Sequence, residues 1–149
     1  MKKIIIITLV VTLAACSTGG SDLSQNRQTW ENANISHYRF ELDLNCFCAF
    51  RDQMPLTVEI QDAEIVSITG ADGEIIPTDD LNYEYFSKYA TIDRLFTVLE
   101  AVAADNEAGE VVVKYDPTYG FPAEASIDYI ELAADDELYI TISGFEKIP

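Results

Sequence analysis

The sequence predicts an α+β fold, an antiparallel sheet of about five to six strands packed against two helices in the order helix, strands, helix, strands. Three observations carry this expectation. Tyr38, Phe40, Leu42 and Leu44 alternate with Arg39, Glu41 and Asp43, the period-two pattern of a strand with one wet face. Ile92, Leu95, Phe96, Leu99, Val102 and Ala103 recur at spacings of three and four, the stripe of an amphipathic helix. The strand patterns come in runs on either side of that helix, which argues against a parallel sheet built from strictly alternating strands and helices.

In chain order, residues 23–35 read as a first helix. Leu23, Arg27, Trp30 and Asn34 share one stripe, and Trp30 is expected to lay its ring on the sheet. Asn26, Asn32 and Asn34 weaken the pattern, because asparagine is a poor helix former. After the strand over Tyr38–Leu44, the run Leu56, Val58, Ile60 repeats the alternation, and a turn around Gln61, Asp62 and Ala63 leads into Glu64–Ile68. Gly70 and Gly73 punctuate the chain beyond that strand. Residues 79–90, with Tyr83, Tyr85, Phe86 and Tyr89, read as a short helix or an aromatic loop. Thr91 is placed to cap the second helix, with Asp93 in its first turn and Gly109 as its stop. Val111, Val113 and Tyr115 open another strand, Ala125, Ile127 and Tyr129 resume the alternation after a turn-rich loop, and Leu138, Ile140 and Ile142 form the inner face of the last strand.

The chain begins differently. Lys2 and Lys3 precede an apolar run from Ile4 to Leu13, then Ala14, Ala15 and Cys16. A charged start, a short apolar core and small residues at its end make a secretory signal peptide, and the run is too short to span a bilayer. The segment Leu13-Ala14-Ala15-Cys16 resembles the lipobox of bacterial lipoproteins. That resemblance implies cleavage before Cys16, a diacylglycerol on its sulfur and an acyl chain such as palmitate on the new amino terminus. Several chains are what firm anchoring requires. Ser17 stands where, in the enterobacterial lipoproteins that this segment resembles, an aspartate would favour the inner membrane. The expected location is therefore the outer membrane facing the periplasm, with the inner membrane and the cell surface as alternatives. The expected layout is a signal peptide over 1–15, a lipidated flexible tether over 16–22, and a single α+β domain over 23–149.

The formal charge is −17, and loss of Lys2 and Lys3 would bring it to −19. Such a chain repels phosphate backbones, so nucleic acid is not an expected partner. It also repels anionic lipid, which leaves the lipid on Cys16 to hold it at the membrane. With Cys16 assigned to the lipid, Cys46 and Cys48 remain as a pair in an oxidising compartment. On a regular strand, Cα atoms two residues apart are separated by about 6.6–6.8 Å. That is the outer limit for a disulfide, so a Cys46–Cys48 bond requires a bulge or turn there. Two reduced, buried thiols are the alternative.

Trp30, Tyr38-x-Phe40, Cys46-x-Cys48, Thr91-Ile92-Asp93-x-x-Phe96, Tyr115-Asp116-Pro117-x-x-Gly120-Phe121-Pro122 and Ile127-Asp128 together resemble a family of uncharacterised bacterial secreted and lipoprotein domains. The resemblance covers nearly all of the mature domain. It implies export and a shared fold, and no activity.

Catalytic patterns are sparse. His37 is the sole histidine, there is no nucleophile elbow, and no phosphate loop or dinucleotide fingerprint occurs. The carboxylates Asp79, Asp80, Asp116, Asp128, Asp135, Asp136 and Glu137 do not follow calcium-loop spacing. No catalytic residue, metal or cofactor is therefore expected. The loop Asp116, Pro117, Tyr119, Gly120, Phe121, Pro122 is the candidate interaction surface, with Tyr119 and Phe121 as aromatic anchors or, alternatively, as cover for the sheet edge. The expected role is a non-catalytic binding domain of the cell envelope, meeting an unknown protein or envelope partner. The alternatives are an envelope enzyme using carboxylates or the Cys46/Cys48 pair, and a structural envelope lipoprotein.

Overall fold

The computed structural model describes residues 20–105, 110–130, 133 and 135–149. The expected signal peptide, the lipid site Cys16 and the helix stop at Gly109 lie outside these residues. The chain forms helix α1 (Gly20–Ala33), strand β1 (His37–Asn45), a 3-10 turn (Arg51–Gln53), β2 (Leu56–Gln61), β3 (Glu64–Thr69), the one-turn helix α2 (Tyr83–Ser87), α3 (Ile92–Ala103), β4 (Glu110–Tyr115), β5 (Pro122–Asp128) and β6 (Leu138–Lys147). All six strands join one antiparallel sheet in the order β3-β2-β1-β6-β5-β4.

The alternation seen in the sequence becomes the two faces of this sheet. Tyr38, Phe40, Leu42 and Leu44 of β1, Leu56, Val58 and Ile60 of β2, and Leu138, Ile140 and Ile142 of β6 are buried. Burying them removes the largest block of apolar surface from water, at about 25 cal/mol per Å². Leu23 and Trp30 of α1 and Ile92, Leu95, Phe96 and Leu99 of α3 complete the same core. Arg39, Glu41, Thr141 and Ser143 point the other way and stay wet.

The β2–β3 hairpin turns on Asp62 and Ala63, both at positive φ, the pair of left-handed residues that a tight two-residue turn demands. The pairing of β1 with β6 joins the two halves of the chain. It runs from Tyr38 opposite Lys147 to Asn45 opposite Tyr139, and its register shifts between Arg39 and Glu41. Gly144, at φ 59°, sits in that irregular stretch, where a left-handed residue kinks β6.

The expected α+β architecture is corrected by this arrangement. Strand makes up about 37% of the structure and helix about 26%, so the fold is a small, sheet-dominated one: an open six-stranded antiparallel sheet with three short helices. The physical reason is the β1–β6 pairing. It fuses what the sequence suggests as two separate strand runs into one continuous sheet, with β6 ten residues long. The helices are accessories of 14, 5 and 12 residues. α1 begins at Gly20, three residues before the expected start, and α2 resolves the aromatic segment as a single helical turn around the buried Phe86.

Candidate functional site

Cys46 and Cys48 are disulfide-bonded, with Cα atoms 5.2 Å apart. β1 ends at Asn45 and the chain bends at Cys46 and Phe47. That bend brings the two Cα atoms inside the disulfide range, which a continuing strand would not. Both cysteines are half-buried, and Phe47 between them is 87% exposed.

The loop after β4 is built from Asp116. Its Oδ1 accepts the N–H of Thr118 at 2.9 Å and of Tyr119 at 2.7 Å, while its backbone N–H donates to Phe121 O at 2.8 Å. Gly120 has φ 76° and lies so close to α1 that a Cβ there would stand 2.7 Å from Asn26 O. The loop therefore folds down onto the helix. Phe121 is buried with its ring 4.7 Å from Phe145 and 6.1 Å from Trp30, and Pro122 is buried beside it. Tyr119 lies half-buried on Phe145, with the Lys147 Nζ 5.0 Å from its ring centre. Phe121 closes the core and presents nothing to a partner, while Pro117 lies at the outer turn. The Asp-Pro and Gly signals reveal the turn but not the direction in which its aromatics point.

The carboxylates stay apart or serve turns. Asp116 and Asp128 flank opposite ends of the β4–β5 ladder, since Tyr115 pairs with Pro122 and Glu110 with Asp128. Six residue steps along the strand separate them by about 20 Å, beyond the spacing of paired glycosidase acids. Asp80 Oδ1 accepts the Asn82 N–H and Asp136 Oδ2 accepts the Ile130 N–H, both at 2.7 Å. Asp79, Asp135 and Glu137 sit in the same turn segments. His37 Nε2 and Glu59 Oε1 share a hydrogen bond at 3.0 Å across β1 and β2. Among the described residues, no three histidine, cysteine or acidic side chains are grouped to hold a metal ion. No described helix is long and apolar enough to cross a membrane.

Several tyrosines are held neutral. Burial pushes the Tyr38 and Tyr89 hydroxyls well above the usual phenol range, and Tyr89 shares a hydrogen bond with Tyr129 at 3.3 Å. Tyr115 is pushed up to about 12, first by burial and then by the negative charge of Asp22. A neutral hydroxyl in an apolar setting needs a partner, and Tyr38 finds one in the backbone of α3.

Tyr115 and Asp22 also line the feature that the sequence does not reveal. A groove of about 340 Å³ runs between β4 and the α1 and α3 helices. Leu23, Ala103, Val111 and Val113 supply apolar walls, with Asp22 and Glu110 at the rim. The alternation of Val111, Val113 and Tyr115 is legible, but β4 becomes an outer strand only through the order of the whole sheet.

No curated protein and no solved structure matches the chain. A family model does, over residues 22–147, which span every strand and nearly all of α1. The chain belongs to this family, described as a family of unknown function (DUF6174).

Proposed function

We propose that this protein is a bacterial lipoprotein, held by a lipid on Cys16 at the outer membrane facing the periplasm, whose domain binds a protein or envelope partner without catalysis. The observation that carries the reading is the segment Leu13-Ala14-Ala15-Cys16 behind a charged and apolar leader, placed four residues before α1 begins at Gly20. The folded unit starts almost immediately after the proposed anchor. Its long wet sheet face and its formal charge of −17 suit a solvated compartment rather than the lipid itself. The bonded Cys46 and Cys48 fit an oxidising one.

The test is fractionation of cells making the full chain. Wild-type protein is expected in the membrane fraction and extractable by detergent, and Cys16→Ser protein in the soluble envelope fraction or retained as uncleaved precursor. Identical soluble behaviour of both would overturn the lipid anchor. The binding role is tested in the same cells by cross-linking. A reproducible covalent complex with one envelope component supports it, whereas turnover of a substrate by the purified protein, abolished by a single Asp or Cys change, would replace it with an enzymatic one.

A further inference from the structure

We propose that the outer edge of β4 is a strand-docking site, which takes an extended segment of another envelope protein with alternating apolar side chains and flanking lysine or arginine. The proposal rests on the reading of this chain as a binding domain, and assigns that binding a place.

The two edges of the open sheet differ. β3 is partly covered: Thr69 bridges to Ile75, Ile76 N–H donates to Ile68 O at 2.8 Å, and Gly70 N–H donates to Glu74 O at 2.9 Å. Among the described residues no segment pairs with the outer side of β4. Such an edge offers a row of unpaired N–H and C=O groups, and a strand added there gains main-chain hydrogen bonds. Edges are commonly guarded by a lysine, but the one lysine of β4 is engaged elsewhere: Lys114 Nζ pairs with Glu124 Oε2 of β5 at 2.6 Å.

The groove beside this edge supplies the side-chain part of recognition. Val111, Val113 and Tyr115 face inward toward Leu23 and Ala103 and remain only half-buried. Alternate apolar side chains of an added strand would cover them. Asp22 and Glu110 stand at the rim, and the chain as a whole is strongly negative, so the favoured occupant is basic. The same charge disfavours a second copy of this chain. Six residues link Cys16 to Asp22 and span at most about 20 Å, which keeps the groove within that reach of the proposed lipid.

The experiment titrates isotope-labelled protein, in the processed form that cells make, with a blocked heptapeptide of alternating valine and threonine between two lysines. Saturable amide shifts confined to β4, Leu23 and Ala103 are expected. Methylating alternate peptide nitrogens on the pairing edge should abolish binding, and replacing the lysines by glutamates should weaken it by about tenfold or more. Asp22→Lys together with Glu110→Lys should reverse the preference between the two peptides. Absence of saturable shifts, indifference to N-methylation, or shifts mapping to β3 or the wet face would each overturn the site. Concentration-dependent dimerisation through the same amides without peptide would overturn the choice of occupant. A partner cross-linked in cells through other residues, with no peptide binding, would sink the docking site and leave the binding reading standing.

Discussion

The backbone N–H of Ile92 donates to the hydroxyl of Tyr38 at 3.3 Å, so that the first residue of α3 is tied to the second residue of β1. Both residues are essentially fully buried. The first N–H groups of a helix have no partner within it. At α3 the Thr91 hydroxyl takes the Arg94 N–H at 3.1 Å, and Tyr38 takes that of Ile92. One sheet side chain thereby joins Thr91 in capping the helix.

Tyr38→Phe removes the acceptor and keeps the ring, leaving a buried N–H unpaired. The expected loss of stability is about 1–3 kcal/mol. Urea unfolding should show a lower midpoint with an unchanged slope. An unchanged midpoint would mean that the Ile92 N–H has another partner.

Gly120→Ala should be far more damaging than Gly73→Ala, although both glycines have positive φ. A Cβ at Gly120 would meet Asn26 O at 2.7 Å and Thr29 Cβ at 2.9 Å, whereas one at Gly73 meets nothing within 4 Å. Gly73→Ala is expected to cost about 1–2 kcal/mol, the backbone penalty alone. Gly120→Ala adds a clash that parts the 116–121 loop from α1, for a total of about 3 kcal/mol or more. Thermal unfolding of the two variants side by side decides the order.

The contrast between these glycines shows where the sequence is informative. Local features are legible: the alternation of β1, β2 and β6, the Thr91 cap, the α3 stripe and the turn at Asp62-Ala63 all arise from near neighbours along the chain. Features that depend on distant partners are not. The pairing of Leu42 with Ile142 makes one sheet of two strand runs, and no local pattern encodes it. The same holds for Phe121, whose turn is plain in the sequence but whose burial depends on Trp30 and Phe145 arriving from elsewhere. The β4 groove is hidden for that reason, because an edge is a property of strand order.

The Cys46–Cys48 bond should contribute little to global stability. It closes a loop of only three residues, and chain entropy assigns such a loop about 1.6 kcal/mol. Reduction, or Cys46→Ala with Cys48→Ala, should lower the urea midpoint modestly and leave the fold intact. Global unfolding on reduction would show that the bond holds far more than its own turn. A count of two free thiols in unreduced protein would remove the bond altogether.

Alkaline pH should destabilise the protein from about pH 10 upward. Tyr38, Tyr89 and Tyr115 hold their protons more tightly when folded than when unfolded. Above the ordinary phenol value near 10 the unfolded chain therefore binds fewer protons than the folded one, and stability falls as pH rises. For Tyr115 the loss develops between about 10 and 12. Phenolate absorbance should rise in two stages, with part of the eight tyrosines ionising late and together with unfolding. A single step near the free-phenol value in folded protein would contradict this.

The intact mass of the mature protein, purified from membranes of cells making the full chain, decides whether Cys16 carries the lipid. The expected chain begins at Cys16 and carries a diacylglycerol and an amide-linked acyl group, with the added mass confined to the first peptide. A chain beginning elsewhere, or one beginning at Cys16 with a free amino terminus and an unmodified sulfur, would contradict it.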